Sequence, residues 1–409
     1  MRELPNAACI RNQSSMGPRP VKGEHTGQGP MLQACPHGAR TSLHEDPIGD
    51  LAGSPRVFLA GKLTAMIAPG GGEIQMLSLA KALPTAGVNS RLWRPWEDSL
   101  AEADCLHLFG SLPEHIPVVE AARRRHLPVV LSTIAWFEFA NCRRWPRTAA
   151  ARVAACGRFL ARAACPELPS WRRRLYRSVD MLLPNSNAEA DQLRRYFRIP
   201  SERIHITPNG ADGRFAAGDG RFAAGDADRF DQSVGRRDFV RDFVLYAGRI
   251  EPRKNQLNFL RAMRGTGLPI VVLGDVVPGF EPYMDACRRA AGSRVRFVPR
   301  LDHDDPRLAA AYAACGCLVL ASWFETPGLV ALEAGMSGTP LVLPHGGCAR
   351  EYFDELALYV RPDDLGGIRR AVQIALSRGR SRLLAEHVRN NFSWTAAARI
   401  TREAYDKVV

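Results

Sequence analysis

The chain has 409 residues, 46% of them hydrophobic and 24% charged, with a formal net charge of +13. That length exceeds one ordinary domain, and the composition is globular, which excludes a fibrous or wholly disordered chain. The longest apolar runs, such as LPVVLSTIAWF, fall well short of the ~20 residues a membrane-spanning helix needs.

The opening residues, MRELPNAACIRNQSSMGPRP, carry charged and polar groups where a secretory signal would be apolar. Ten cysteines are scattered without a CxxC pair, and the spacing of Cys315 and Cys317 is not that of zinc ligands. Most lie in apolar company, so a cytoplasmic location is expected. Residues 1–54 are rich in Gly, Pro, Ser and His without periodicity and read as a disordered leader, with Met16 and Met31 as alternative starts.

From Arg56 onward, short apolar runs alternate with helical stretches. The runs are RVFLA, NSRLWRP, DCLHLFG, LPVVLST and MLLPNSN, then FVLYAG, LPIVVLG, RVRFVP, CLVLAS, TPLVLP and ALYVRP. Strands apolar throughout and separated by helices imply parallel sheets covered on both faces. Two such series imply two doubly wound α/β domains, at 55–210 and 241–385, with ligands off the carboxyl ends of the strands. Between them, 211–240 reads as a linker holding the tandem heptapeptides Gly213–Asp219 and Gly220–Asp226 and a repeated RDFV. These resemble replication slippage, tolerated where loop insertion is cheap, and no function is assigned to them. Residues 386–409 read as a C-terminal helix packing back toward the first domain.

The positive charge is concentrated. Residues 121–178 hold thirteen Arg against two acidic residues, Glu138 and Glu167, while residues 1–55 are balanced. Three readings fit: solvated helix faces, a surface for anionic lipid headgroups, or a nucleic-acid face, for which no recognition motif is found.

Chemistry collects at strand ends. In LYAGRIEPRKN, Arg249 and Lys254 follow a strand, with Gly248 ahead of them, as a diphosphate would require. In APGGGEIQML, Gly70 and Gly71 precede a helix whose first N–H groups suit an anion; glycine triplets and basic turns are each weak signals alone. In SWFETPGLVALEAG, Pro327 and Gly328 read as the first turn of a helix running on through Leu329 and Val330. Free N–H groups at Gly328–Val330 and two carboxylates, Glu325 and Glu333, would then face one ligand carrying phosphates and hydroxyls. Against this stands a capping glutamate and a partnered core glutamate.

The Glu325-x7-Glu333 spacing, with YAGRIEPRKN, PGGGE and TPNGAD in order, resembles the retaining glycosyltransferases of family 4, which have the GT-B fold. The resemblance runs from about Arg56 to the C-terminus. It implies that Glu325 contacts the donor sugar, Glu333 the nucleotide ribose, Arg249 and Lys254 the diphosphate, and that Gly70 and Gly71 face it from the other domain. It further implies a nucleotide-sugar donor, a glycan, lipid-linked or small-molecule acceptor, and neither cofactor nor metal. Many family members carry a histidine after the strand corresponding to LPVVLST; here Ile134 and Ala135 stand there. His107 and Glu138 are the candidates for the acceptor-side group. The alternatives are a nucleotide-sugar epimerase or phosphorylase of the same fold, an inactive nucleotide-sugar-binding scaffold, and a nucleic-acid binder. The expected setting is the cytoplasm, with the arginine-rich segment on the inner face of the membrane.

Overall fold

The computed structural model describes residues 53–62, 70–144, 148–216 and 242–409. The leader through residue 52 and most of the tandem repeats lie outside the described residues. Two parallel sheets organise the rest. The first contains β1 (Arg56–Ala60), β2 (Asn89–Leu92), β3 (Cys105–Phe109), β4 (Val129–Ser132) and β5 (Met181–Leu183), in the order β2-β1-β3-β4-β5. The second contains β6 (Val244–Ala247), β7 (Ile270–Leu273), β8 (Val295–Val298), β9 (Cys317–Val319), β10 (Leu341–Pro344) and β11 (Leu358–Val360), in the order β11-β10-β9-β6-β7-β8. Every one of these strands falls within one of the apolar runs, and every pairing is parallel.

Strand alternation divides the first sheet between two cores. Val57, Leu59, Cys105, Phe109, Val130, Met181 and Leu183 point to one face; Phe58, Leu106, Leu108, Val129, Leu131 and Leu182 point to the other. Central strands of the second sheet are buried along their whole length, while edge strands β8 and β11 are only partly covered. In that sheet the strand order reverses between β6 and β9, opening a crevice beyond their carboxyl ends. The basic turn follows β6, and the glutamate-bearing loop follows β9.

The chain returns to the first sheet at its end. Helix Arg382–Asn391 still buries Leu384 and Val388 in the second core, so a boundary at 386 would split it. The crossing comes at Ser393, which bridges Ala211 where the chain first left the first unit. Helix Trp394–Tyr405 then places Trp394, Ala397, Ala398 and Tyr405 against the first sheet. The start of the linker also belongs to the second core. Phe215 is fully buried against the rings of Tyr312 and His303, at 5.6 Å from each.

Polar contacts join the two sheet units. Glu351 accepts from the backbone of Asn187 and Ala188, both at 2.7 Å, so a carboxylate of the second unit caps helix Asn187–Phe197 of the first. The Tyr352 hydroxyl donates to the Asn185 carbonyl at 2.5 Å, and Asn185 Nδ2 donates to the Thr326 carbonyl at 3.2 Å.

Candidate active site

The basic turn after β6 is fastened to the end of β9. Asn255, at φ +60°, donates through Nδ2 to the Ala321 carbonyl at 2.9 Å, and Gln256 donates to the Arg249 carbonyl at 2.8 Å. Lys254 and Arg249 thereby receive opposite treatment. Lys254 turns inward and its ammonium meets both carboxylate oxygens of Glu325, at 2.6 and 2.9 Å. Arg249 reaches into the crevice with its side chain half exposed and, among the described residues, one long ion pair, 3.7 Å, to Glu251. A Cβ placed on Gly70 would lie 3.3 Å from the Arg249 guanidinium, so the glycine loop of the first unit does face the basic turn of the second.

Glu325 is nearly covered from solvent and also accepts from Ser322 Oγ at 2.5 Å. Burial pushes its carboxyl up, but the charges of Lys254 and Arg253 and the hydrogen bonds it accepts hold it below the ordinary carboxylate range. Its backbone is gripped as well: Cys348 N donates to the Glu325 carbonyl at 2.9 Å. A Cβ on Gly347, at φ +100°, would stand 1.9 Å from that carbonyl oxygen, so only glycine fits there.

The following helix begins two residues later than the sequence suggests. It spans Leu329–Met336, and Gly328 lies before it at φ +89°, a conformation in which Pro327 cannot serve as a first-turn residue. The correction preserves the geometry that matters. The first N–H groups of a helix lack intrahelical partners, and no side chain caps those of this helix. Glu333, one turn on, is buried, with Oε1 at 3.0 Å from His303 Nε2 and Oε2 accepting from the Tyr312 hydroxyl at 2.8 Å. His303 is in turn braced at Nδ1 by Arg214 of the linker, 2.6 Å away.

Both glutamates therefore lie beneath the crevice surface with protein partners, rather than as open carboxylates along a cleft wall. His303, Tyr312 and Arg214 were missed in the sequence: nothing in LDHDD ties a histidine to a carboxylate thirty residues on.

The first unit contributes the other lip. The turn after β4 bends through Ile134 at φ +43°, and buried Glu189 pins it by accepting from Thr133 Oγ1 at 2.5 Å and Ala135 N at 2.7 Å. Trp136 then lies nearly parallel to Phe324, centroids 6.4 Å apart, next to Glu325. Glu138 is partly buried on the same stretch, and its Oε2 finds no hydrogen-bond partner. His107 does not reach this lip. It is the middle residue of β3, not its end, and is wholly buried, with Nδ1 at 2.7 Å from the Tyr405 hydroxyl and Nε2 at 2.9 Å from Ser132 Oγ. Burial drives its imidazole down to about 3, so it is a neutral core group and no acceptor-side base.

Comparison with known proteins gives two family matches in tandem. Residues 91–214 match Glycosyltransferase Family 4, and residues 241–378 match Glycosyl transferases group 1. Together they cover more than half of the chain. Glycogen synthase of Mycobacterium tuberculosis (strain CDC 1551 / Oshkosh) is 26% identical over 395 residues, spanning 92% of this chain and 85% of that protein. A D-inositol 3-phosphate glycosyltransferase of Rhodococcus opacus (strain B4) is 32% identical over 181 residues, 41% of this chain and 38% of that protein. Among solved structures, sucrose-phosphate synthase from Thermosynechococcus elongatus superposes with a TM-score of 0.65 at 18% identity, over 87% of this chain and 99% of that one. Anabaena HepE, solved with UDP and glucose, superposes at 0.61 and 16% identity, over 86% and 99%. These likenesses at low identity establish the fold, the two-domain GT-B arrangement.

Proposed function

The chain belongs to the family 4 glycosyltransferases of group 1, and from that premise we propose that it moves a sugar from a nucleoside-diphosphate sugar to an acceptor hydroxyl with retained anomeric configuration. One observation carries the reading. Arg249, Lys254, the Leu329–Met336 helix start and the Gly70 loop, brought from two sheets and three strand ends, meet around one crevice.

The chemistry follows from their placement. As the glycosidic bond breaks, negative charge grows on the leaving diphosphate. Arg249 and the N–H groups of Leu329 and Val330 receive it, with Lys254 behind them, and such preorganised charge is usually the largest catalytic term. These groups do the work a metal would otherwise do, so transfer is expected to persist in EDTA. Glu325 lies beside Lys254 at the sugar end, and Glu333 under the helix at the ribose end. Solved HepE carries UDP and glucose, which supports UDP-glucose as the first donor to try here. The test is thermal shift with a panel of nucleotide sugars, since a ligand that binds the native state alone raises its melting temperature. At least one nucleoside-diphosphate sugar should do so; no shift with any of them contradicts the reading.

The arginine-rich segment supports a membrane-facing role for the same enzyme. Helix Ala149–Ala164 buries none of its sixteen residues and exposes Val153 and Leu160 beside Arg152 and Arg158. Among the described residues no helix is long and apolar enough to cross a membrane. An amphipathic helix with arginines flanking apolar side chains suits the headgroup layer. The protein should sediment with anionic vesicles, come off in ~0.5 M salt as charge is screened, and ignore neutral vesicles. Equal behaviour toward both vesicle types returns the helix to an ordinary solvated face.

A further inference from the structure

Arg214 belongs to the connection between the two units, yet it reaches the histidine that holds Glu333. Its own place is set by its neighbours. Asp212 Oδ1 accepts from Arg214 N at 2.9 Å and caps the short helix Gly213–Phe215, and the buried Phe215 ring anchors that turn in the second core. Ser337 Oγ donates to the Phe215 carbonyl at 2.6 Å, and the Arg214 guanidinium lies over the Phe215 ring, 4.8 Å from its centroid. From there Nη2 donates to the His303 carbonyl at 2.5 Å and meets His303 Nδ1 at 2.6 Å. One guanidinium thus grips both the backbone and the ring of His303. Its other arm, Nη1, donates to Asp304 at 2.6 Å, and Asp304 lies 3.6 Å from Lys81 Nζ, on the helix that follows the Gly70 loop. The first copy of the duplicated heptapeptide is thereby linked to both units.

The chemistry of these contacts fixes a proton. A guanidinium donates hydrogen bonds and accepts none, so His303 Nδ1 meets Arg214 with its lone pair. The partner of one imidazole nitrogen sets the state of the other. The ring proton therefore sits on Nε2, which donates to Glu333 Oε1 at 3.0 Å. The Tyr312 hydroxyl donates to Oε2 at 2.8 Å. Each carboxylate oxygen accepts one bond and keeps a lone pair for a ligand hydroxyl. With the proton on Nδ1 instead, the Nε2 lone pair would face the carboxylate oxygen, and the two would repel.

We propose that Arg214 is a positioning residue of the donor site: it keeps His303 in the Nε2–H form, and His303 in turn holds the Glu333 carboxylate in place for the nucleotide. The role rests on the transferase reading, in which Glu333 meets the donor ribose; the placement of the proton does not. Arg214 acts through His303, so its loss loosens nucleotide binding without removing a contact to the nucleotide.

The test uses the full chain with isotope-labelled histidine nitrogens, whose NMR shifts tell a protonated ring nitrogen from a bare one. The His303 signals are identified by their loss in His303→Gln. Because Asp219–Phe222 repeats Asp212–Phe215, the Arg214 variants are made in an Arg221→Gln parent, so that no second arginine stands in for the first. In the parent at neutral pH, His303 should carry its proton on Nε2 and not on Nδ1. Arg214→Met keeps the stem over Phe215 and removes the donor. It should let the Nδ1–H form appear and weaken UDP binding, followed calorimetrically, by roughly threefold to tenfold, the effect of one hydrogen bond. Arg214→Lys, which returns a donor, should recover part of both. A proton on Nδ1 in the parent overturns the inference. So does unchanged UDP affinity in Arg214→Met, where a lower melting temperature alone would mark a structural role. A parent that binds no UDP removes the transferase reading and the positioning role with it, and that outcome is told apart by a His303 proton that still follows Arg214.

Discussion

The two lips of the crevice are finished to different degrees. On the second-unit side the buried charged groups are already engaged, Lys254 with Glu325, Glu333 with Tyr312 and His303, His303 with Arg214, while Arg249 stays half exposed. On the first-unit side the backbone is anchored but three side-chain tips are unpaired. A site wired before its ligand arrives pays little reorganisation when charge develops, as diphosphate departure demands. The difference separates a second-sheet side whose buried charges are paired from a first-sheet side whose backbone is anchored but whose three buried tips, Trp136 Nε1, Glu138 Oε2 and Asn141 Oδ1, are not paired.

The largest effect that would sharpen this contrast is at Lys254. Lys254→Ala should cut turnover by roughly 10²–10³, and it should also destabilise the fold by about 3–5 kcal/mol, because it strands the buried Glu325 carboxylate. Adding Glu325→Ala should restore part of that stability, a coupling readable in a double-mutant cycle. Arg249→Ala is the counterpart: turnover should fall comparably, but stability should change by less than about 0.5 kcal/mol, since its side chain is half exposed. Equal stability of the two single variants would show that the donor side is not wired through the buried pair.

A smaller effect tests the other claim, that His107 is a finished core group of the first unit. The folded imidazole takes a proton only at about 3, whereas an unfolded histidine takes one near ~6.5. Between those values the unfolded state binds the extra proton, so stability falls as pH falls, by up to ~1.4 kcal/mol per unit from this residue. His107→Gln should be less stable at neutral pH and should flatten that slope between pH 6.5 and 5. An unchanged slope would mean that His107 titrates in the folded protein and is not sealed in the core.

Much of the fold was legible because parallel strands buried on both faces are written as uninterrupted apolar runs. Even β8, half covered at its sheet edge, kept enough of the pattern in RVRFVP to be read. Donor-side residues were legible for a related reason: they stand at strand ends, where turn chemistry is local. Partners that come from afar were not. Arg214 reaches His303 across the sheet order, and Glu351 caps a helix 164 positions away, with no spacing rule to announce either. His107 misled because a histidine three residues short of a glycine reads as a strand end, while the buried Tyr405 that claims it arrives from the last helix. Glu189 was findable, since Ser186-x-x-Glu189 is a capping-box signature and Ser186 does cap the helix. Its second task, holding the turn after β4, depends on tertiary contact alone.

The most direct test of the account is the titration of Glu325→Gln and Glu333→Gln with UDP, which carries ribose and diphosphate but no sugar. Under the proposed donor orientation Glu333 meets the ribose, a part of the donor that does not react, so Glu333→Gln should weaken UDP binding by roughly tenfold, the loss of a charged hydrogen bond. Glu325 pairs with Lys254, and under the same proposed orientation it meets the sugar, so Glu325→Gln should leave UDP affinity unchanged or slightly tighter while lowering kcat. Loss of UDP affinity in Glu325→Gln with retention in Glu333→Gln would contradict the assignment and reverse the two ends of the donor site.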